Sequence, residues 1–158
     1  MMQTIHLKKL LLHLALPVCV GFIAAYFSRN AAEVYASLQL PPLSPPPVVF
    51  AVVWSVLYPL MGVASYLASE QMQHNARYKR VQLLYLASLF LNLIYPILFF
   101  TLQWYGAALV DLILLWICVF IVTAVYFYYY RPAGYIMFLY VLWLCFAAYL
   151  NAGVVCLN

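Results

Sequence analysis

Charge is the first thing this sequence lacks. Of 158 residues, seven are Lys or Arg and three are Asp or Glu, so charged residues make up 6% of the chain where a soluble domain carries about 25%. A domain of this size must clothe its surface in polar side chains, and so few cannot do it. A soluble enzyme and a disordered chain are both poor fits. The formal charge of +4 is too small and too scattered to follow a phosphate backbone, which argues against a nucleic-acid partner. With three acidic residues, paired-carboxylate chemistry is nearly removed as well. Glycine-rich phosphate loops, an HExxH zinc signature and a Ser/His/Asp set are also missing. Four cysteines, Cys19, Cys118, Cys145 and Cys156, fall in separate segments without metal-ligand spacing. They read as buried free thiols behaving as small hydrophobes. No metal and no intrinsic cofactor is expected.

What the chain has instead is hydrophobic residues, 70% of the total, gathered into long runs. The runs span about 10–28, 48–69, 81–102, 107–130 (interrupted by Asp111) and 133–157. Each is long enough to cross roughly 30 Å of hydrocarbon as a helix. None alternates apolar and polar residues as a membrane barrel strand does. The expected fold is an all-α integral membrane protein: a single domain over 1–158, built as a five-transmembrane-helix bundle. Five spans put the termini on opposite faces. Six of the seven basic residues, Lys8, Lys9, Arg77, Lys79, Arg80 and Arg131, fall on the N-terminal face, and Arg29 lies on the other. The positive-inside bias then puts the N-terminus in the cytoplasm. A lysine pair ahead of an apolar run also resembles a signal peptide. However, Leu16-Pro17-Val18 supplies no small residue before Cys19, and four more runs follow.

The connections are unequal. Those around Gln103–Gly106 and at Arg131-Pro132 are short enough to force antiparallel neighbours. The segment 29–47 is long, with five of the nine prolines between Pro41 and Pro47. Proline fixes φ and restricts the preceding residue, so this stretch is semi-rigid and extended. With Tyr35, Leu38 and Leu40 available for packing, it reads as a proline-rich folded loop, a lid over one end of the bundle.

Inside the spans, helical spacing groups aromatic and polar residues. Trp54, Tyr58 and Met61 share one face of the second span. Tyr85, Ser88, Asn92 and Tyr95 form a stripe on the third, and Trp143, Ala147, Leu150 and Asn151 on the fifth. Trp104 fits the interfacial aromatic belt. Asn92 and Asn151 are costly in hydrocarbon unless paired; each reads either as an interhelical hydrogen bond or as an amide offered to a ligand. Pro59 and Pro96 read as kinks. Asp111, near a helix end, reads as solvated or structurally paired. Small-residue pairs such as Gly21 with Ala25, Ala64 with Ala68 and Ala148 with Ala152 permit close helix approach, within the bundle or at a homodimer seam.

The stretch "EVYASLQLPPLSPP" followed by "FAVVWSVLYPLMGVASYL" resembles the TspO/translocator-protein family. The matching residues are Tyr35, Leu38, Pro41, Pro45, Pro46, Phe50, Trp54, Leu57, Tyr58, Met61 and Gly62, then Asn92, Pro96, Phe99, Phe100, Asp111, Tyr140, Trp143, Phe146, Ala147, Leu150 and Asn151. The resemblance implies a ligand cavity beneath the lid, with Phe50, Trp54, Tyr58, Asn92, Trp143, Ala147 and Leu150 as ligand-binding residues and Tyr35, Pro41, Pro45 and Pro46 as the roof. It implies protoporphyrin IX, or a benzodiazepine-type or other flat apolar molecule, as ligand, and a role in tetrapyrrole handling or stress sensing. Two alternatives come with it: light-dependent porphyrin breakdown using Trp54 and Trp143, and porphyrin or sterol transport. A homodimer and a bacterial inner membrane are expected, the mitochondrial outer membrane being the other home of the family. The sequence departs from the family pattern at Val34, Leu40, Leu43, Tyr95 and Leu139. Three of these lie in the lid and make it less polar and less tryptophan-rich, Leu40 standing where the family usually has lysine. The sterol motif needs a basic residue after Tyr149, and "LNAGVVCLN" has none, so cholesterol is not expected at that site.

Overall fold

The computed structural model describes residues 6–72 and 75–158. Through them run α1 (Leu7–Phe27), α2 (Ala31–Ser37), α3 (Pro47–Met72), α4 (Tyr78–Pro96), α5 (Tyr105–Tyr129) and α6 (Arg131–Leu157), with a π-helical turn, Ile97–Thr101, continuing α4. There is no strand among the described residues. Five helices, α1, α3, α4 with its π turn, α5 and α6, are long and apolar enough to span a membrane, as the hydrophobic runs predict.

Most helix ends run past the apolar runs. Lys8 and Lys9 lie in the first turn of α1 and Glu70 near the end of α3, and the Lys9 Nζ donates to Glu70 Oε1 at 2.6 Å. Long polar side chains can keep their charge at the interface while their backbone stays helical. The Arg131-Pro132 link is likewise the first turn of α6, where proline's missing N–H costs nothing; the break is at Tyr130 alone, with φ −155° and ψ 98°.

The spans form a closed ring in which α1 packs on α3, α3 on α6, α6 on α5, α5 on α4 and α4 on α1. In the half toward the N-terminal face the ring is solid. Met61, Met72, Val119, Val122, Tyr126, Met137 and Leu144 are fully buried there. Helices in lipid gain little from hydrophobic burial against one another, so close packing and interhelical hydrogen bonds hold them. Gly62 shows how close the packing is: a Cβ at that position would lie 2.8 Å from the His13 carbonyl oxygen and 2.8 Å from Leu14 Cα of α1.

The lid is half helix. Residues Ala31–Ser37 carry no proline, are rich in alanine and place Glu33 in the first turn, where the helix dipole favours an acid, so they coil into α2. The extended, proline-rich reading holds for the remainder. Several contacts anchor it to α6. The Tyr149 hydroxyl donates to the Pro42 carbonyl at 2.9 Å, and the Asn158 amide exchanges two hydrogen bonds with the Gln39 backbone, each 3.0 Å. Pro41 lies where a Cβ on Gly153 would be, 2.5 Å from its ring atoms. At the tip, Leu43 takes a left-handed φ of 67° and is 81% exposed.

Two expectations need correcting. The cysteines are free but not buried: Cys19, Cys145 and Cys156 are exposed and Cys118 half-buried, because they fall on the outward faces of helices whose small inward positions are taken by alanine and glycine. Asp111 is not solvated. It is 6% exposed and its Oδ2 has no hydrogen-bond partner among the described residues. Its turn of α5 faces inward, with Ala108 packed against Phe99 and Val154.

Candidate ligand-binding cavity

The other half of the ring, under the lid, is hollow. A cavity of about 470 Å³ lies there, bounded by α1, α3, α4, α5, α6 and the lid. It is hollow because α1 brings the small residues Gly21, Ala24 and Ala25 to it beside Val18 and Phe22, and α6 brings Ala147, where the solid half has Met and Leu.

Its wall is aromatic. Helical spacing on α3 sets Phe50, Trp54 and Tyr58 along one face, one turn apart. Rings then meet in series: Tyr35 with Phe50 at 5.7 Å between centroids, Phe50 with Trp143 at 5.7 Å, Trp54 with Tyr58 at 5.2 Å and Trp54 with Tyr140 at 5.9 Å. All but the Trp54–Tyr58 pair, which is tilted at 32°, are edge-to-face, an arrangement that fixes ring orientation. All seven residues expected to bind ligand, Phe50, Trp54, Tyr58, Asn92, Trp143, Ala147 and Leu150, line this one cavity. Of the expected roof, Tyr35 and Pro41 line it and Pro45 and Pro46 do not. Pro46 instead precedes α3, its carbonyl accepting from the Val49 amide at 2.9 Å.

The polar groups divide into two kinds. Asn92 is an interhelical tie: the Tyr58 hydroxyl donates to its Oδ1 at 3.2 Å, and its Nδ2 donates to the Tyr140 hydroxyl. One N–H and one lone pair of that amide remain. Asn151 ties α6 to α5, its amide nitrogen donating to the Tyr105 carbonyl at 3.1 Å and its oxygen accepting from the Leu109 amide at 3.1 Å. Both asparagines therefore answer to the interhelical reading while still lining the wall. The Trp143 Nε1, in contrast, is buried without a partner among the described residues, and the Tyr35 hydroxyl, beside the Ser44 side chain, makes no hydrogen bond of good geometry among them. Burial pushes the Tyr35 hydroxyl above its ordinary pKa, which keeps it a proton donor. No Lys, Arg, His, Asp or Glu lines the cavity among the described residues. Nor is there a cluster of metal-ligating side chains among them.

The sequence pattern missed several walls. Pro59 and Pro96, read as kinks, both line the cavity, and past Pro96 the widened π turn delivers Phe99 and Phe100 to it. A π turn has no signature in hydropathy. The small residues of α1 looked like packing positions and here make space. Phe22, Ala25, Ala51 and Ser55 line the cavity and are also exposed, so it opens sideways between α1 and α3. Phe22 itself is 74% exposed.

Similarity to known proteins agrees with this architecture. The TspO/MBR family profile matches residues 13–157. The tryptophan-rich protein TspO of Archaeoglobus fulgidus is 34% identical over 154 residues, covering 97% of this chain and 99% of its own. The translocator protein of Bos taurus is 36% identical over 138 residues, 86% of this chain and 82% of its own. The translocator protein of Sus scrofa is 40% identical over 141 residues, 85% and 81% respectively. A match over nearly the whole chain, together with five membrane-spanning helices, makes this an integral membrane protein of the TspO/MBR family.

Proposed function

We propose that the cavity binds a flat, largely apolar ligand carrying hydrogen-bond acceptors, of which a porphyrin such as protoporphyrin IX and benzodiazepine-type molecules are the leading classes. Family membership supports a ligand-binding or transport role in the membrane. The observation that carries the finer reading is the pairing of an uncharged aromatic wall with two buried donors on either side of Phe50, Trp143 Nε1–H without a partner among the described residues and Tyr35 O–H beside Ser44. Pockets of this kind use apolar walls for affinity and a few polar groups for orientation. An unpartnered donor in a dry site costs about 1–3 kcal/mol, which a carbonyl or ring nitrogen on the ligand would recover. With no cation in the wall and Leu40 on the lid side, any carboxylate of the ligand belongs at the mouth rather than inside.

The charge bias supports a cytoplasmic N-terminus, and a bacterial inner membrane is the setting we favour. The test is titration of the detergent-purified chain with protoporphyrin IX in the dark, following tryptophan fluorescence. Saturable quenching that weakens in Trp143→Phe and Tyr35→Phe is the expected result. Quenching that never saturates would remove porphyrin as ligand. A light-dependent breakdown reaction gains support from one fact, that Trp54 and Trp143 both face the cavity. Illuminating the same sample under air separates the readings: loss of the porphyrin band, abolished in the double Phe variant, would make the protein an enzyme.

A further inference from the structure

A second recess lies in the opposite half of the molecule, between α1 and α4 with α3 behind. Its volume is about 280 Å³, and Leu12, His13 and Leu16 of α1, Ser65 of α3, and Tyr78, Gln82, Tyr85 and Leu86 of α4 line it. Its floor is polar and its flanks apolar. His13 Nδ1 and Ser65 Oγ are hydrogen-bonded at 2.9 Å, and Gln82 Nε2 donates to the Tyr78 hydroxyl at 2.8 Å. Tyr85 is 2% exposed, and its hydroxyl, beside the Ser65 side chain, makes no hydrogen bond of good geometry among the described residues. Leu12, Leu16 and Leu86 are exposed, which puts the mouth of the recess on the outer, lipid-facing surface of the bundle.

With Ser65 Oγ already engaged by His13 at 2.9 Å, the buried Tyr85 phenol keeps a donor to offer, and the chemistry it fits is an uncharged acceptor oxygen. A free anion does not fit at this depth, since no Lys or Arg lines the recess. Depth narrows the class. His13 is six residues into α1 and Tyr85 seven into α4, about 9–10 Å along each axis from the helix start. The headgroup layer of a bilayer is roughly 5–7 Å thick on each side, so the recess sits just inside it, where glycerol esters lie. The two helices that flank it carry cations in their first turns, Lys8 on α1, next to the Lys9 that pairs with Glu70, and Lys79 and Arg80 on α4. Those charges complement an anionic headgroup held above an ester held below.

We propose that this recess is a phospholipid site, in which the Tyr85 hydroxyl donates to an acyl-ester carbonyl of a lipid from the leaflet on the N-terminal face. The glycerol backbone lies against His13 and Ser65, and the acyl chains leave past Leu12, Leu16 and Leu86.

The test compares two phosphatidylglycerols of equal chain length, one with ester and one with ether linkages, by native mass spectrometry of the full chain purified with each. The wild-type protein should retain the ester lipid about five-fold more, the ratio one ordinary hydrogen bond supplies. Tyr85→Phe should bring the two within about two-fold. Equal retention by the wild type would overturn the proposal, as would a preference that survives Tyr85→Phe. A diazirine on the ester lipid's acyl chain gives a reading that needs no variant. Labelling at Leu12, Leu16 or Leu86 is expected, and labelling confined to the lid-side cavity would sink the site.

Discussion

The two halves of this bundle are made by the same helices and differ in what those helices bring to the axis. Toward the N-terminal face, Met61, Met72, Met137 and Leu144 fill the axis of the ring, and the recess there lies at its outer side between α1 and α4. Under the lid, Gly21, Ala24 and Ala147 stand at the equivalent inward positions, and the rings of Phe50, Trp54 and Trp143 line a space instead of filling one. The difference teaches that a ligand site in a membrane bundle needs no extra element. Smaller residues on two helices and larger, flat ones on a third are enough, provided the far half is packed tightly enough to hold the ring in register.

That division can be broken deliberately. Gly62→Leu should have the largest effect, because the new side chain has to part α1 from α3 where their backbones nearly touch. A loss of about 3 kcal/mol or more, or no folded protein, is expected from unfolding in detergent. Gly106→Ala is the control, having nothing within 4 Å of the added atom, and should change stability by less than about 1 kcal/mol. Leu144→Ala in the solid half should cost about 4 kcal/mol, and Leu150→Ala, which already borders a void, at most half as much while weakening porphyrin binding. Asn92→Leu should cost about 2 kcal/mol, because it strands the Tyr58 and Tyr140 hydroxyls in the dry centre. Tyr35→Phe is the smallest change: its hydroxyl has only a poorly formed contact with Ser44 to lose among the described residues, so the unfolding midpoint should hold within about 0.5 kcal/mol. Porphyrin affinity should nonetheless fall, and a midpoint shift without an affinity shift would mean Tyr35 is a packing residue.

The solid half and the hollow half were not equally legible in the sequence. All five spans could be read, because charges sit at the ends of apolar runs and almost nowhere inside them. The aromatic face of α3 was legible too, since its residues repeat at helical spacing. What could not be read depends on neighbours. Whether Gly21 packs or makes space is decided by what faces it across the ring, and one strand of text does not contain that. Asp111 looks close to water by count along its own helix, but its turn of α5 faces inward, where its neighbour Ala108 packs on Phe99 and Val154. The short α2 was hidden by the prolines that follow it, which colour the whole lid as extended. The recess at His13 and Tyr85 joins three helices through residues no motif connects.

The sideways opening between α1 and α3 has a consequence for how affinity is measured. Because Phe22 and Ser55 border both the cavity and the outer surface, an apolar ligand can reach its site from the lipid. The concentration that matters is then the one dissolved in the bilayer, set by a partition coefficient. Adding empty vesicles at fixed protein and total ligand should dilute the ligand and raise the apparent Kd in proportion to lipid, so dissociation constants for this protein acquire meaning only when expressed as mole fractions in the membrane.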